Sequence, residues 1–167
     1  MKFIFIFLFL FKSTVLLGQS VNDFQIEQMS VGDSLLEYFD KNEIDKFYKT
    51  SYPSSSKFLQ VDIINIKLIQ YDQITVAIKN GDDNFIIYEV KGFKRQKNIN
   101  ECLDRIEKTS YEIENLVNVS RYEYENTASQ DETGESTYYA SDFYLNDGSI
   151  RIFCYEWSEK MKKKGGY

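Results

Sequence analysis

The chain has 167 residues, a net charge of −6, and 13 tyrosines and 13 phenylalanines but no histidine. Without histidine there is no Ser-His-Asp or Cys-His catalysis, none of the common zinc sites and no imidazole pH switch. The acidic balance argues against nucleic acid as a partner, because that affinity comes largely from neutralising phosphates.

Lys2, the apolar run FIFIFLFLF, Lys12 and the small-residue end STVLLGQS together predict a secretory signal peptide over residues 1–20. Gly18 and Ser20 stand at the −3 and −1 places of a cut before Val21, and a cut after Gly18 is the alternative. The run falls short of the ~20 apolar residues that span a bilayer. No cysteine follows it for lipid attachment, and no later stretch is apolar enough to cross. The expectation is a single domain over residues 21–167, periplasmic or secreted, with no membrane span once the leader is removed.

Two helix starts follow. Ser34 with Glu37 forms one capping box and Asp40 with Glu43 a second. Leu35, Leu36 and Phe39, then Ile44, Phe47 and Tyr48, supply the apolar faces of two short helices or one bent helix. It ends before the polar loop TSYPSSS, where Pro53 forbids continuation.

From Lys57 the period changes to two. KFLQVDI puts Leu59, Val61 and Ile63 on one face. INIKL alternates in the opposite phase through Ile64, Ile66 and Leu68, which predicts a bulge near Ile63. QITVAIK, the turn NGDDN and FIIYEVKGF then read as a hairpin, since Asn-Gly between β-branched runs is strong turn chemistry.

NINECLDRIEKTSYEIENLV carries Ile99, Leu103, Ile106, Ser110, Ile113 and Val117 at steps of four and three, the stripe of an amphipathic helix, with Asn100 as its cap. RYEYEN and TYYASDFYL read as strands, separated by the acidic segment TASQDETGEST, expected to be an exposed loop. With Asp147 and Gly148 central in a tight turn, Leu145 pairs with Ile150, Phe143 with Ile152 and Ser141 with Cys154 on the core face. Tyr144, Asp142, Arg151, Phe153 and Tyr155 take the opposite face. KMKKKGGY, from Lys160, reads as a solvated basic C-terminal tail. Separate blocks of helix and antiparallel strand predict an α+β fold: a twisted antiparallel sheet of about five or six strands, with the long helix and one or two short helices packed on one face.

Cys154 as a nucleophile would need a base that a histidine-free chain lacks, and its inward strand position opposes a low-pKa thiolate. A buried thiol would be ordinary. The leader, however, directs the chain to an oxidising compartment, and Cys102 borders the helix stripe that faces Cys154. A Cys102–Cys154 disulfide is expected. It would close a loop of about 50 residues, a contribution of roughly 4 kcal/mol in the chain-entropy account.

Other chemistry is thinly supported. Paired carboxylates could hydrolyse glycosidic bonds, but no spacing selects a pair. NGDDN and SQDETGES offer oxygen atoms without the alternation and closing glutamate of a calcium loop. No catalytic, cofactor-binding or metal-ligating residue is assigned, and no cofactor is expected. What remains is the tyrosine-bearing face of the final hairpin, with Tyr144, Arg151 and Tyr155 as candidate binding residues, types that often carry interface energy.

FQIEQMSVGDSLLEYF near the mature start, NINEC before the long helix and CYEWS near the end resemble a family of small exported proteins of marine alphaproteobacteria. The resemblance covers almost the whole mature chain; it implies export and a shared fold and supplies no site residues. VGDSLLEY is also similar to the G-M-S-x-x-x-V helix start of small periplasmic modules of the BamE/SmpA type, which implies two helices followed by a three-stranded sheet in the first half. Asp33 and Tyr38 replace the Met and Val of that pattern, and the lipid-attachment cysteine is missing. The resulting expectation is an exported, non-catalytic binding or interaction module whose partner is an unknown protein or envelope component. The alternative is a histidine-free hydrolase using paired carboxylates, on glycans.

Overall fold

The computed structural model describes residues 20–52, 55–63 and 66–165. All but the last residue of the expected leader lies outside the described residues, as do Pro53 and Ile64.

Both capping boxes form. Ser34 starts a 3-10 turn over Leu35–Glu37, and Asp40 starts helix α1, Lys41–Lys46. In each, the acid three residues on accepts the N–H of the capping residue. Helix α1 stops earlier than the pattern suggests. Phe47 is extended, and Tyr48–Tyr52 is a strand, β1, where the sequence reads as helix end and polar loop. The correction has a physical cause: a Tyr- and Thr-bearing segment gains a ladder of partners on β2, Ser55–Ile63, which local helix preference cannot match.

Strand β2 pairs with β3, Gln73–Lys79, and β3 with β4, Ile87–Phe93, giving an antiparallel sheet in the order β1-β2-β3-β4. Leu59, Val61 and Ile63 stand opposite Ile78, Val76 and Ile74, so the inward face of β2 is the expected one. The described part of INIKL, residues 66–68, is not a strand. The connection is instead gathered by Glu27, whose carboxylate accepts the N–H groups of Ile69, Gln70 and Tyr71. Those bonds, Gln70 first, hold the Glu27 carboxyl below its ordinary value. Tyr71 then packs against β4 at Gly92, where a Cβ would come within 2.5 Å of the ring. Met29, Leu35 and Ile44 close over the strands' apolar face to complete the first core.

Helix α2 spans Ile99–Val117 and buries Ile106, Ser110 and Ile113, as the stripe requires. Its cap is Asn98 rather than Asn100: the Asn98 side chain accepts the Glu101 N–H at 3.0 Å. A second antiparallel sheet follows, in the order β5-β6-β7, from Tyr122–Thr127, Thr137–Leu145 and Gly148–Glu156. Asn146 and Asp147 form its tight turn, so Phe143 faces Ile150, Ser141 faces Ile152 and Tyr139 faces Cys154. The register is two residues from the expected one. Because side chains alternate with period two, every residue keeps its predicted face. Gly148 closes the turn under Val21; a Cβ there would sit 2.9 Å from the valine Cγ1.

Helix α2 packs on β7 and β6, over the face that carries Phe143 and Cys154. The α+β class is thus as expected, with the described strands divided between two sheets. Two expectations at the end of the chain change. Within TASQDETGEST, Ala128, Asp131 and Ser136 are buried. Glu159–Gly165 forms a short helix, α3, its start tied by the Ser158 hydroxyl accepting the Met161 N–H, although Lys160 and Lys162–Lys164 remain exposed.

Candidate functional site

Strand alternation puts Tyr122 and Tyr124 of β5, Tyr138, Asp142 and Tyr144 of β6, and Arg151, Phe153 and Tyr155 of β7 on the side of the second sheet away from α2. Their rings run on from one another. Tyr122–Tyr124 centroids are 5.8 Å apart, Tyr124–Tyr138 6.0 Å and Tyr138–Tyr155 4.9 Å. Tyr155 then stacks on Trp157 at 4.5 Å with the planes 11° apart. Tilted and offset ring pairs of this kind each add roughly 0.5–1.5 kcal/mol beyond burial.

Asp142 anchors the face electrostatically. Its side chain is only 3% exposed, and it accepts Arg151 Nε and Nη2 at 2.6 Å each. Tyr144 donates its hydroxyl to the same carboxylate at 3.2 Å. A buried carboxylate without such donors would be strongly destabilising. The Asp142 hydrogen bonds push the Arg151 pKa further up, so this guanidinium is charged at any ordinary pH. The cation also lies 5.9 Å from the Tyr124 ring centroid. Burial raises the Tyr138 phenol, which keeps it a neutral hydrogen-bonding group.

Beside this row opens a shallow cleft of about 570 Å³, lined by Tyr124, Tyr138, Arg151, Tyr155, Asn126 and Gln130 among others. Gln130 Nε2 donates to the Tyr155 hydroxyl at 3.2 Å. The loop that supplies Gln130 is held by Asp131, whose carboxylate accepts the Ser136 hydroxyl and both the N–H and hydroxyl of Thr133. Ser136 in turn accepts the Ser158 N–H at 2.8 Å. These donors, Ser136 first, hold the Asp131 carboxyl far below the usual carboxylate range.

Of the three residues singled out from sequence, Arg151 and Tyr155 line the same cleft. Tyr144 stands apart from it, 63% exposed, and is linked to Arg151 through Asp142. Tyr124, Tyr138 and Asp142 matter as much. The alternation in RYEYEN and TYYASDFYL was their signal, whereas nothing local marks Gln130 as a neighbour of Tyr155.

Cys102 and Cys154 are joined, with Cα atoms 6.1 Å apart, as the facing of helix stripe and strand requires. The acidic turns are occupied by protein donors: Asp82 accepts the N–H groups of Asn84 and Ile86. Among the described residues no helix is long and apolar enough to cross a membrane, which with the disulfide is compatible with a place outside the cytoplasm. Set against protein-family models, curated proteins and solved structures, the chain matches none.

Proposed function

We propose that this chain is an exported, non-catalytic binding module of the periplasm or envelope, cut before Val21. Its contact surface is the aromatic face of β5–β7, and its partner is a protein or another envelope component. The observation that carries the reading is the unbroken row of rings from Tyr122 to Trp157 beside an open cleft. Rings with polar tips combine large contact area with little conformational entropy to lose, which suits them to interfaces. Arg151, held by a buried carboxylate, adds a pre-oriented cation at the centre of the face. The resemblance to small exported proteins supports export and is silent on the partner.

The test is capture from envelope extract with the purified chain, set against the Tyr144→Ser/Tyr155→Ser double variant. Arg151 is left in place, since its loss would strand the Asp142 charge. Wild type should retain one defined component that the variant loses, with circular dichroism unchanged. Equal retention by the variant would remove the face from the reading. Turnover of an envelope glycan or peptide, abolished by one Asp or Glu substitution that spares the fold, would establish the hydrolase instead.

A further inference from the structure

Among the described residues the two sheets end in the edge strands β1, β4, β5 and β7. A bare strand edge invites a further strand, and folds guard against it with lysines, bulges or a covering segment. Strand β1 carries Lys49 and a bulge between Ser51 and Tyr52. Strand β4 carries Lys91, and residues 32–34 pair along its start: Gly32 donates to the Ile87 carbonyl and Ile87 to that of Asp33. Strand β7 begins under Val21, whose N–H reaches Asp147 at 3.2 Å. Strand β5 has none of these devices. It keeps register with β6 without a bulge, and α2 packs instead on β7 and β6.

The backbone of β5 is also oriented for pairing. The Ala128 N–H donates to the Ser136 carbonyl at 2.8 Å, which sets the alternation of the ladder. Tyr122, Tyr124 and Asn126 therefore turn their N–H and C=O groups to β6, and Glu123, Glu125 and Thr127 turn theirs outward. Arg121 has the outward parity, and its N–H is taken by the Glu114 carboxylate at 3.2 Å. From Glu123 onward no hydrogen bond from the described residues reaches the outward groups, and Glu123, Glu125 and Thr127 are all exposed.

We propose that β5 takes an added antiparallel strand from a protein partner, a strand that alternates basic with aromatic residues. This rests on the reading of the chain as a binding module and names the form of its partner. The outward backbone of β5 supplies the ladder and its side chains supply the selection. Glu123 and Glu125 share the α2 side of the sheet, while Tyr122 and Tyr124 share the aromatic side. A strand laid along β5 thus sets lysine or arginine against the glutamates. On its other face it continues the row of rings beyond Tyr122, which is 61% exposed. Arg121 pairs with Glu123 at 3.4 Å, whereas Glu125 makes no ion pair among the described residues. The same acids oppose a second copy of this chain, because β5 against β5 brings glutamates together.

Calorimetric titration of the full chain with the acetylated, amidated peptide KYKYKY tests this. The expected result is a saturable one-to-one complex. Glu125→Lys should weaken it about tenfold, and Glu112→Lys, the same charge change on α2, should leave it unchanged. In antiparallel pairing the lysine backbone N–H groups face β5 and the tyrosine ones face away. Methylating the lysine backbone nitrogens should therefore abolish binding, and methylating those of the tyrosines should spare it. Equal binding of the block peptide KKKYYY, or of the lysine-methylated peptide, would overturn the proposal, since charge alone would then suffice. So would a dimer of the free chain that the peptide dissociates, which would make a second copy the occupant. Tyr144→Ser/Tyr155→Ser, on β6 and β7, should bind the peptide as wild type does. Peptide binding with envelope capture unaffected by that double variant would keep the edge and remove the face. No peptide binding, with capture still lost in the variant, would remove the edge alone.

Discussion

The two halves of the molecule solve the problem of a stable interior differently. Residues 29–87 enclose a core built almost wholly from aliphatic side chains, among them Leu35, Ile44, Val61, Ile74 and Ile87, each fully buried. In the second half, Phe143, Ile106, Ile113 and Cys154 share the buried positions with Ser110, Asp131, Ser136, Ser141 and Asp142. An interior with so many polar groups obtains less from the hydrophobic effect and depends on pairing its charged ones, while the Ser110 and Ser141 hydroxyls have no partner among the described residues. That is where the disulfide, the Arg151–Asp142 pair and the Asp131 brace all lie. Covalent and polar ties appear where apolar burial is thin, and the aromatic candidate surface belongs to this tied half.

Cutting the crosslink should expose the contrast most strongly. Cys102→Ser and Cys154→Ser should each lower stability by roughly 4 kcal/mol, to the same extent, because either opens the same loop. Denaturant melts read the loss. Amide exchange should show it in β5–β7, with β2 and β3 largely spared. Equal loss of protection in both halves would mean that Phe93 against Phe153, at 6.1 Å, and Val21 on Gly148 suffice to make them one cooperative unit.

Ile74→Ala strikes the other interior. A fully buried aliphatic side chain on a central strand should cost about 2–4 kcal/mol. The cost should be the same with or without reductant, whereas a crosslink-dependent cost would erase the distinction between the halves.

The smallest effect is the most specific. Asp131 has a folded pKa well below its unfolded value of about 3.9, so its stabilisation is complete above that value and fades as pH falls towards the folded one. Asp131→Asn should therefore melt below wild type at pH 7, with the gap narrowing only below about pH 4. A gap that stays constant into acid would show that the brace works by shape and not by charge.

Much of this was legible in the sequence where the signal is local. Ser34–Glu37 and Asp40–Glu43 cap as written, the stripe of α2 is buried as spaced, and the face of Cys154 survives a register error of two residues. What escaped depends on distant partners. Tyr48 continues a helical pattern, and only the presence of β2 makes it a strand. The division into two sheets depends on which strand edges pair, and alternation along one strand says nothing of that. Of the binding face, the tyrosines of β6 and β7 could be read, because period two sorts them. The place of Gln130 beside Tyr155 could not, since it depends on how Asp131, Ser136 and Ser158 tie the loop that carries it.

The Cys102–Cys154 bond also decides how the molecule would bear a load. A pull on the two ends passes from Cys102 straight to Cys154, so β5, β6 and most of α2 and β7 hang in a ring that carries no tension. Extension of the oxidised chain should stop short of the reduced chain by the sequence separation of 52 between the cysteines, roughly 170–190 Å of contour length. The aromatic candidate surface sits chiefly on that sheltered ring, so tension that unravels the first sheet would leave it folded.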